Sequence, residues 1–156
     1  MVDEQQKKYD IFLSYRHLSD MGGDQWVTTF CENLNILLEE SLGKKVDIFF
    51  DKFELRAGDK WRSEIDRALE SAPIFLAIIV QSYFESVVCR QEMDRFLGLY
   101  KQANDATPRL IFPIFKQPPP PDLPPEIDEV HRPRKFYRDT RYSLSSAAYL
   151  GTDRLR

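Results

Sequence analysis

Short apolar runs alternate with amphipathic stretches along the chain, and this alternation predicts strands separated by helices. The runs have the length of buried strands and cover residues 9–15, 46–50, 74–80 and 109–115. Residues 74–80 (IFLAIIV) are apolar at every position, which is typical of a central strand in a parallel sheet. Pro113 predicts an edge position or an early end for the fourth strand. Residues 134–138 (RKFYR) predict a short fifth strand.

Helical periodicity predicts helices over about residues 24–42, 60–72, 82–102 and 143–155. Asp24 is the expected N-cap of the first helix, and Gly43 is expected to end it. Ser82 and Glu85 have the spacing of a capping box at the start of the third helix. The residues expected on the buried face of the first helix are Trp26, Phe30, Leu34, Leu37 and Leu38.

This order of elements predicts an α/β fold, a flavodoxin-like three-layer sandwich with about five parallel strands and helices on both faces. Residues 1–8 are expected to form an N-terminal tail and residues 9–156 one domain. The prolines between residues 118 and 125 predict an extended, stiff connection that is neither helix nor central strand. Open sheets of this kind bind ligands beyond the carboxyl ends of their strands. Glu92 is expected near that edge, on the helix that follows the third strand. The other residues expected there are Ser14, Tyr15, Arg16, His17, Asp51, Gln81, Ser82 and Tyr83.

Composition narrows the range of functions. A net charge of -3 argues against broad affinity for nucleic acid or anionic membranes. Two cysteines and two histidines favour neither a disulfide framework nor a metal site. The N-terminal residues lack the apolar core of a signal peptide, and no apolar run approaches the roughly 20 residues that cross a bilayer. We therefore expect a cytoplasmic protein with reduced thiols.

Several motifs resemble those of Toll/interleukin-1 receptor (TIR) domains, and together they cover nearly the whole chain. Residues 9–16 (YDIFLSYR) resemble the first box of that family, and residues 51–58 (DKFELRAG) resemble its BB loop. Ser86, Cys89 and Glu92 match the S-x-x-C-x-x-E pattern of bacterial and plant members. The resemblance implies a flavodoxin-like fold with five parallel strands.

The resemblance also implies one of two functions. Many members cleave the nicotinamide–ribose bond of NAD+ and release nicotinamide with ADP-ribose or a cyclised form, in immune defence, including antiviral defence, or in cell death. In a bacterial-type NAD+ glycohydrolase of this kind, Glu92 is the expected catalytic residue and NAD+ is a substrate, so that no cofactor is needed. Other members are signalling scaffolds that only assemble, and here the expected BB-loop contacts are Phe53, Leu55, Arg56 and Gly58. Self-association that switches on the enzyme joins both functions, and a fused or separate sensor is the further partner that the resemblance implies.

The residues that the resemblance and the strand-end position mark for substrate contact are Ser14, Tyr15, Arg16, Asp51, Trp61, Ser82 and Ser86. Several have a structural alternative. Arg16 suits the pyrophosphate or a ribose, or else a surface ion pair, and Tyr15 suits stacking on a dinucleotide ring or core packing. Ser82 and Ser86 suit substrate binding or helix capping, and Trp61 suits a cleft wall or the core.

Two residues on the third helix also have alternatives. Glu92 is either the catalytic carboxylate or a solvated helix residue. Cys89 is either a nucleophile or, as the favoured interpretation, a small buried hydrophobic residue. Many NAD-cleaving members carry tryptophan just before this cysteine, where this chain has Val88. The substitution leaves the carboxylate in place and changes the aromatic surroundings expected for nicotinamide.

Overall fold

A sheet of five parallel strands forms the centre of the protein, with helices on both faces. The computed structural model describes residues 8–16, 25–50, 59–118, 120–121, 123–125, 127, 134–135, 137–139 and 142–143. In chain order the elements are β1 (Ile11–Tyr15), α1 (Trp26–Leu42), β2 (Ile48–Phe50), α2 (Asp59–Ser71), β3 (Ile74–Ile79), a 3-10 helix (Tyr83–Glu85), α3 (Val87–Lys101), β4 (Leu110–Phe115), β5 (Arg134–Lys135), β6 (Tyr137–Asp139) and β7 (Tyr142–Ser143).

The strand order is β2-β1-β3-β4-β5, and every neighbouring pair is parallel. This is the doubly wound order in which the chain starts near the middle of the sheet and builds outward in both directions. The predicted α/β fold class is therefore confirmed. Strands β6 and β7 form a separate antiparallel pair.

The two faces of the sheet carry separate hydrophobic layers. Because side chains alternate along a strand, Ile11, Leu13 and Tyr15 of β1 face α1, whereas Phe12 and Ser14 face α2 and α3. The α3 side is built on stacked aromatic rings, with centroid separations of 5.0 Å for Phe12–Phe49, 5.6 Å for Phe12–Phe75 and 4.9 Å for Phe75–Phe96. This packing fixes the distance between β1 and α3, the two elements that build the candidate site.

Helix α1 differs from the prediction at its start and along one edge. It begins at Trp26, after Gln25 in a left-handed conformation that makes no side-chain cap, while Asp24 lies outside the described residues. Leu37 was predicted on the buried face, but 59% of it is exposed. The buried stripe is centred on Val27 and Cys31, and Leu37 lies about a quarter of a turn away from it.

The predicted end of α1 is confirmed. Gly43 adopts the left-handed conformation (φ 67°) and donates its N–H to the carbonyl of Glu39 at 2.9 Å. Glycine suits this position because a side chain would be strained there.

The predicted capping box at the third helix is wrong. Residues Tyr83–Glu85 form a 3-10 turn of their own, and the side chain of Ser82 makes no cap hydrogen bond. Helix α3 begins one turn later, where the Ser86 hydroxyl accepts the Cys89 N–H at 3.3 Å. The extra turn leaves the strand-end residues close to the sheet edge before α3 starts.

Strand β4 continues two residues beyond Pro113, so the proline does not end it early. The N–H of Leu110 donates to the carbonyl of Pro73, just before β3, and the N–H of Lys116 donates to that of Ile79. Even-numbered N–H groups of β4 therefore point toward β3, and residue 113, a proline without an N–H, lies on the other side. On that side β5 pairs only with Ile114 and Phe115. Strand β4 lies between β3 and β5, so the predicted edge position is wrong as well. The proline is tolerated because the missing N–H is not one of those that point toward β3.

The predictions for the C-terminal part need correction. Among the described residues of the predicted strand 134–138, Arg134–Lys135 join the main sheet, and residue 137 begins β6 instead. Ser143, the predicted start of the last helix, ends strand β7, and the rest of that helix lies outside the described residues. Pro125 lies in a helical turn rather than in an extended connection, since the first turn of a helix tolerates proline.

Candidate active site

Glu92 projects from α3 toward the sheet rather than into solvent. Only 8% of it is exposed, and it shares the inward face of the helix with Cys89 and Met93. Its Oε2 accepts a hydrogen bond of 2.6 Å from the hydroxyl of Ser14, near the carboxyl end of β1. The interpretation of Glu92 as a solvated helix residue is therefore wrong, and the carboxylate lies at the sheet edge where ligands were expected.

Ser14 also contacts a third buried polar group, the hydroxyl of Tyr83, at 2.6 Å. Tyr83 lies in the 3-10 helix after β3 and has no exposed surface, and Ser14 is 1% exposed. Burial raises the pKa of Tyr83 well above its usual value near 10, and the nearby Cys89 and Glu92 add to the rise, while the hydrogen bond with Ser14 opposes it. The tyrosine therefore keeps its proton at neutral pH.

The sequence placed Tyr83 at the ligand-binding edge of the sheet but did not mark it for substrate contact. A tyrosine that follows an apolar strand is normally read as a core aromatic residue. The available signal was its place at the end of the third strand, next to Ser82, on the edge that was expected to bind ligands.

Arg16 ties the end of β1 to the turn after β3. Its Nη1 donates to the Ser82 carbonyl at 2.9 Å and lies 3.3 Å from Glu85 Oε2. The guanidinium is thus at the predicted edge, in the ion pair that was its structural alternative. Because Glu85 is mostly exposed, the ion pair is worth little by itself, and the carbonyl contact fixes the arginine.

Tyr15 occupies the other side of the sheet. It is buried in the α1 layer and stacks on Phe50 at 5.1 Å between ring centroids. This position corresponds to the core-packing alternative, and the sheet separates the ring from Glu92.

Some of the remaining predicted residues lie at the start of α3, and the others are described only in part or not at all. At the start of α3, Ser86 caps the helix, Cys89 is fully buried, and Val88 is 37% exposed. Trp61 lies in the first turns of α2, but its side chain is outside what the structure describes. The residues that lie wholly outside the described ranges are Asp51, Phe53, Leu55, Arg56 and Gly58.

The described part of the chain contains no group of three or more histidine, cysteine, aspartate or glutamate residues placed to hold a metal ion. It also contains no helix that is long and apolar enough to span a membrane. What it brings together is one buried carboxylate, two hydroxyls and a nearby arginine, at the carboxyl edge of β1 and β3. Such a set can orient sugar hydroxyls and stabilise positive charge.

Doubly wound order, a carboxyl-edge site and a glutamate on the helix after the third strand define the class of the protein. It is an α/β domain with a polar site at the strand ends. The family model for the TIR domain matches residues 11–148. The chain therefore belongs to the TIR domain family.

Two solved structures are similar to this chain. The TIR domain of the Toll-related receptor TRR-2 from Hydra magnipapillata shares 16% identity and has a TM-score of 0.53, over 82% of this chain and 84% of that one. The TIR domains of the activated Roq1 resistosome, which directly recognises the pathogen effector XopQ, share 24% identity and have a TM-score of 0.47. That match covers 69% of this chain and 57% of the other. The likeness to the Hydra domain supports the fold.

Proposed function

We propose that this TIR domain is an NAD+ nucleosidase that uses Glu92 to cleave the bond between nicotinamide and ribose. The observation that carries the proposal is the burial of the Glu92 carboxylate at the carboxyl edge of the sheet, where Ser14 holds it by a hydrogen bond of 2.6 Å. Burying a carboxylate costs stability, and such costs concentrate at functional sites. The S-x-x-C-x-x-E motif, which resembles that of bacterial and plant members, supports the same residue.

The chemistry needs a single carboxylate. As the C1′–N bond breaks, the bonding electron pair leaves with nicotinamide, which departs as a neutral molecule and needs no general acid. Positive charge then develops on the ribose, and a carboxylate beside it stabilises that charge and orients the ribose hydroxyls. Water adds to C1′ and loses a proton to give ADP-ribose, or an adenine nitrogen adds to give a cyclic product.

Self-association is proposed as the switch. The BB loop, residues 51–58, is the expected contact surface, and Leu55 is one of its expected contacts. In this view, contacts between TIR domains place the loop and complete the site. A partly assembled sample would then turn over slowly even though its Glu92 is intact.

The first experiment incubates the concentrated protein, free and clustered on beads or a lipid surface, with NAD+. Nicotinamide is measured by chromatography, and ADP-ribose and its cyclic form are separated by mass spectrometry. Glu92→Ala is expected to abolish nicotinamide release. Asp94→Ala is the matched control, because Asp94 is an exposed carboxylate on the same helix and should leave the rate unchanged.

Two results would reject the enzymatic proposal: no nicotinamide under any clustered condition, or equal rates for wild type and Glu92→Ala. Leu55→Glu then tests the non-enzymatic scaffold. If that variant loses self-association while no form of the protein cleaves NAD+, the domain works by assembly alone. If it loses both self-association and turnover, assembly activates the enzyme.

A further inference from the structure

The buried hydroxyl of Tyr83 belongs to a hydrogen-bond chain that runs through Ser14 to Glu92. Tyr83 OH and Ser14 Oγ are 2.6 Å apart, and Ser14 Oγ is 2.6 Å from Glu92 Oε2. The three residues come from the 3-10 helix, β1 and α3, so the chain joins three separate elements. Of the three, Glu92 is the most exposed, at 8%.

The hydroxyl of Ser14 donates to Oε2 of Glu92. The lone pairs of the serine oxygen can then accept the proton of Tyr83, and either hydroxyl of the 2.6 Å pair can be the donor. Tyr83 has the proton to give, because burial favours its neutral form. Each donor in such a series polarises the next one and strengthens its bond.

The surrounding structure holds Tyr83 in place. Its N–H donates to the Val80 carbonyl at 3.0 Å, which anchors the turn to the end of β3. Its ring packs edge-on against Phe84 at 5.0 Å between centroids. Arg16 binds the Ser82 carbonyl and so links the same turn to β1. The donor end of the chain is therefore fixed from both neighbouring strands.

We propose that Tyr83 is a positioning residue: through Ser14 it fixes the Oε2 atom of Glu92, and with it the plane of the carboxylate that faces the ribose. This inference rests on the proposed nucleosidase function. The hydrogen-bond path from Tyr83 to Glu92 runs through Ser14, so Tyr83 is expected to act on the rate of the chemical step and to leave substrate binding nearly unchanged.

The test compares Tyr83→Phe, Ser14→Ala and the double variant in the clustered protein with NAD+. The loss of one such hydrogen bond predicts a kcat lower by about five- to tenfold for Tyr83→Phe, with KM within about twofold of wild type. In the Ser14→Ala background, Tyr83→Phe should cause no further loss of kcat, because the connection to Glu92 is already cut. Tyr100→Phe is the matched control, since Tyr100 is a half-buried tyrosine on α3 that packs on the same core.

The midpoints of urea unfolding give a second readout that does not depend on turnover. In wild type, Tyr83→Phe removes a satisfied hydrogen bond and should lower the midpoint. In Ser14→Ala the tyrosine hydroxyl is left buried without its acceptor, so the same change should leave the midpoint unchanged or raise it. A change of sign of this kind is not expected if Tyr83 only fills space in the core.

The outcomes separate this inference from the proposed function. An active wild type with unchanged kcat in Tyr83→Phe overturns the positioning role alone, and so do additive losses of kcat in the double variant. A wild type without any turnover removes the catalytic role together with the proposed function. In that case, if the changes in urea midpoint of Tyr83→Phe and Ser14→Ala simply add in the double variant, the proposal that Tyr83, Ser14 and Glu92 act as one hydrogen-bonded unit is rejected as well.

Discussion

The buried hydroxyl of Tyr83 makes the stability of the protein sensitive to alkaline pH. In the unfolded chain this tyrosine loses its proton near pH 10, as free tyrosine does. In the folded protein burial raises its pKa well above that value, with smaller contributions from Cys89 and Glu92. Over the interval between the two pKa values the folded state therefore holds one more proton than the unfolded state.

The sign and size of the effect follow from proton linkage. Because the folded state binds the extra proton, raising the pH above about 10 favours unfolding, by up to about 1.4 kcal/mol per pH unit for one group. The stability that the raised pKa contributes is fully present below pH 10. Between about pH 8 and pH 11, Tyr83 should account for a loss of about 1.4 kcal/mol.

The assay is urea unfolding, followed by fluorescence or circular dichroism, of wild type and Tyr83→Phe at pH 8, 10 and 11. The difference between the two proteins, taken at each pH, isolates Tyr83 from other alkaline effects. Tyr83→Phe is expected to lose less stability than wild type above pH 10. Tyr9→Phe is a graded comparison, because the pKa of Tyr9 is also raised, by partial burial first and then by Glu64, and its effect should be smaller. Parallel losses in wild type and Tyr83→Phe would refute a buried, protonated donor at Ser14.

Two further pairs of variants test contacts to α2 and the cap of α3. Arg109 donates to the carbonyls of three residues at the end of α2, at 3.2, 3.2 and 2.7 Å, so Arg109→Ala should cost about 2–3 kcal/mol in urea unfolding. Arg95→Ala, which breaks exposed ion pairs to α2, should cost less than about 1 kcal/mol, and equal costs would contradict this distinction. Ser86→Ala removes the cap of α3 and should cost about 1 kcal/mol, whereas Ser82→Ala should stay within about 0.5 kcal/mol. A larger effect at Ser82 would restore the predicted capping box.

The sheet was predictable because its strands are fully apolar runs. Residues 74–80 have no polar position and are too short for a typical helix, which favours a strand buried on both faces, and the structure has β3 over Ile74–Ile79. Element ends were less predictable. The spacing of Ser82 and Glu85 fits a capping box in sequence, and only the hydrogen bonds of the folded chain show a separate 3-10 turn before the Ser86 cap.

The sequence predicted where the site lies, at the carboxyl edge of the sheet, but not which side chains contact one another there. Glu92 came from the motif, and its position three residues after Cys89 is compatible with the buried face of α3, which the structure shows. The partner of the carboxylate is 78 residues away in sequence, and no local pattern pairs Ser14 with Glu92. The roles of serine and tyrosine hydroxyls depend on which buried group lies within about 3 Å, which is a property of the packed fold.

The side chains of β1 point alternately to the two faces of the sheet, and this places the candidate residues of the first motif in different surroundings. Ser14 and Tyr15 are neighbours in sequence, but successive side chains of a strand point to opposite faces. Ser14 therefore meets α3 and Glu92, while Tyr15 packs under α1 against Phe50. Arg16 follows the last residue of the strand and is released from the alternation, so it can reach across the edge to Ser82. A ligand that contacts Glu92 therefore lies on the Ser14 side of the sheet. A substitution at Tyr15 should change the binding of that ligand only indirectly, by changing the stability of the layer packed under α1.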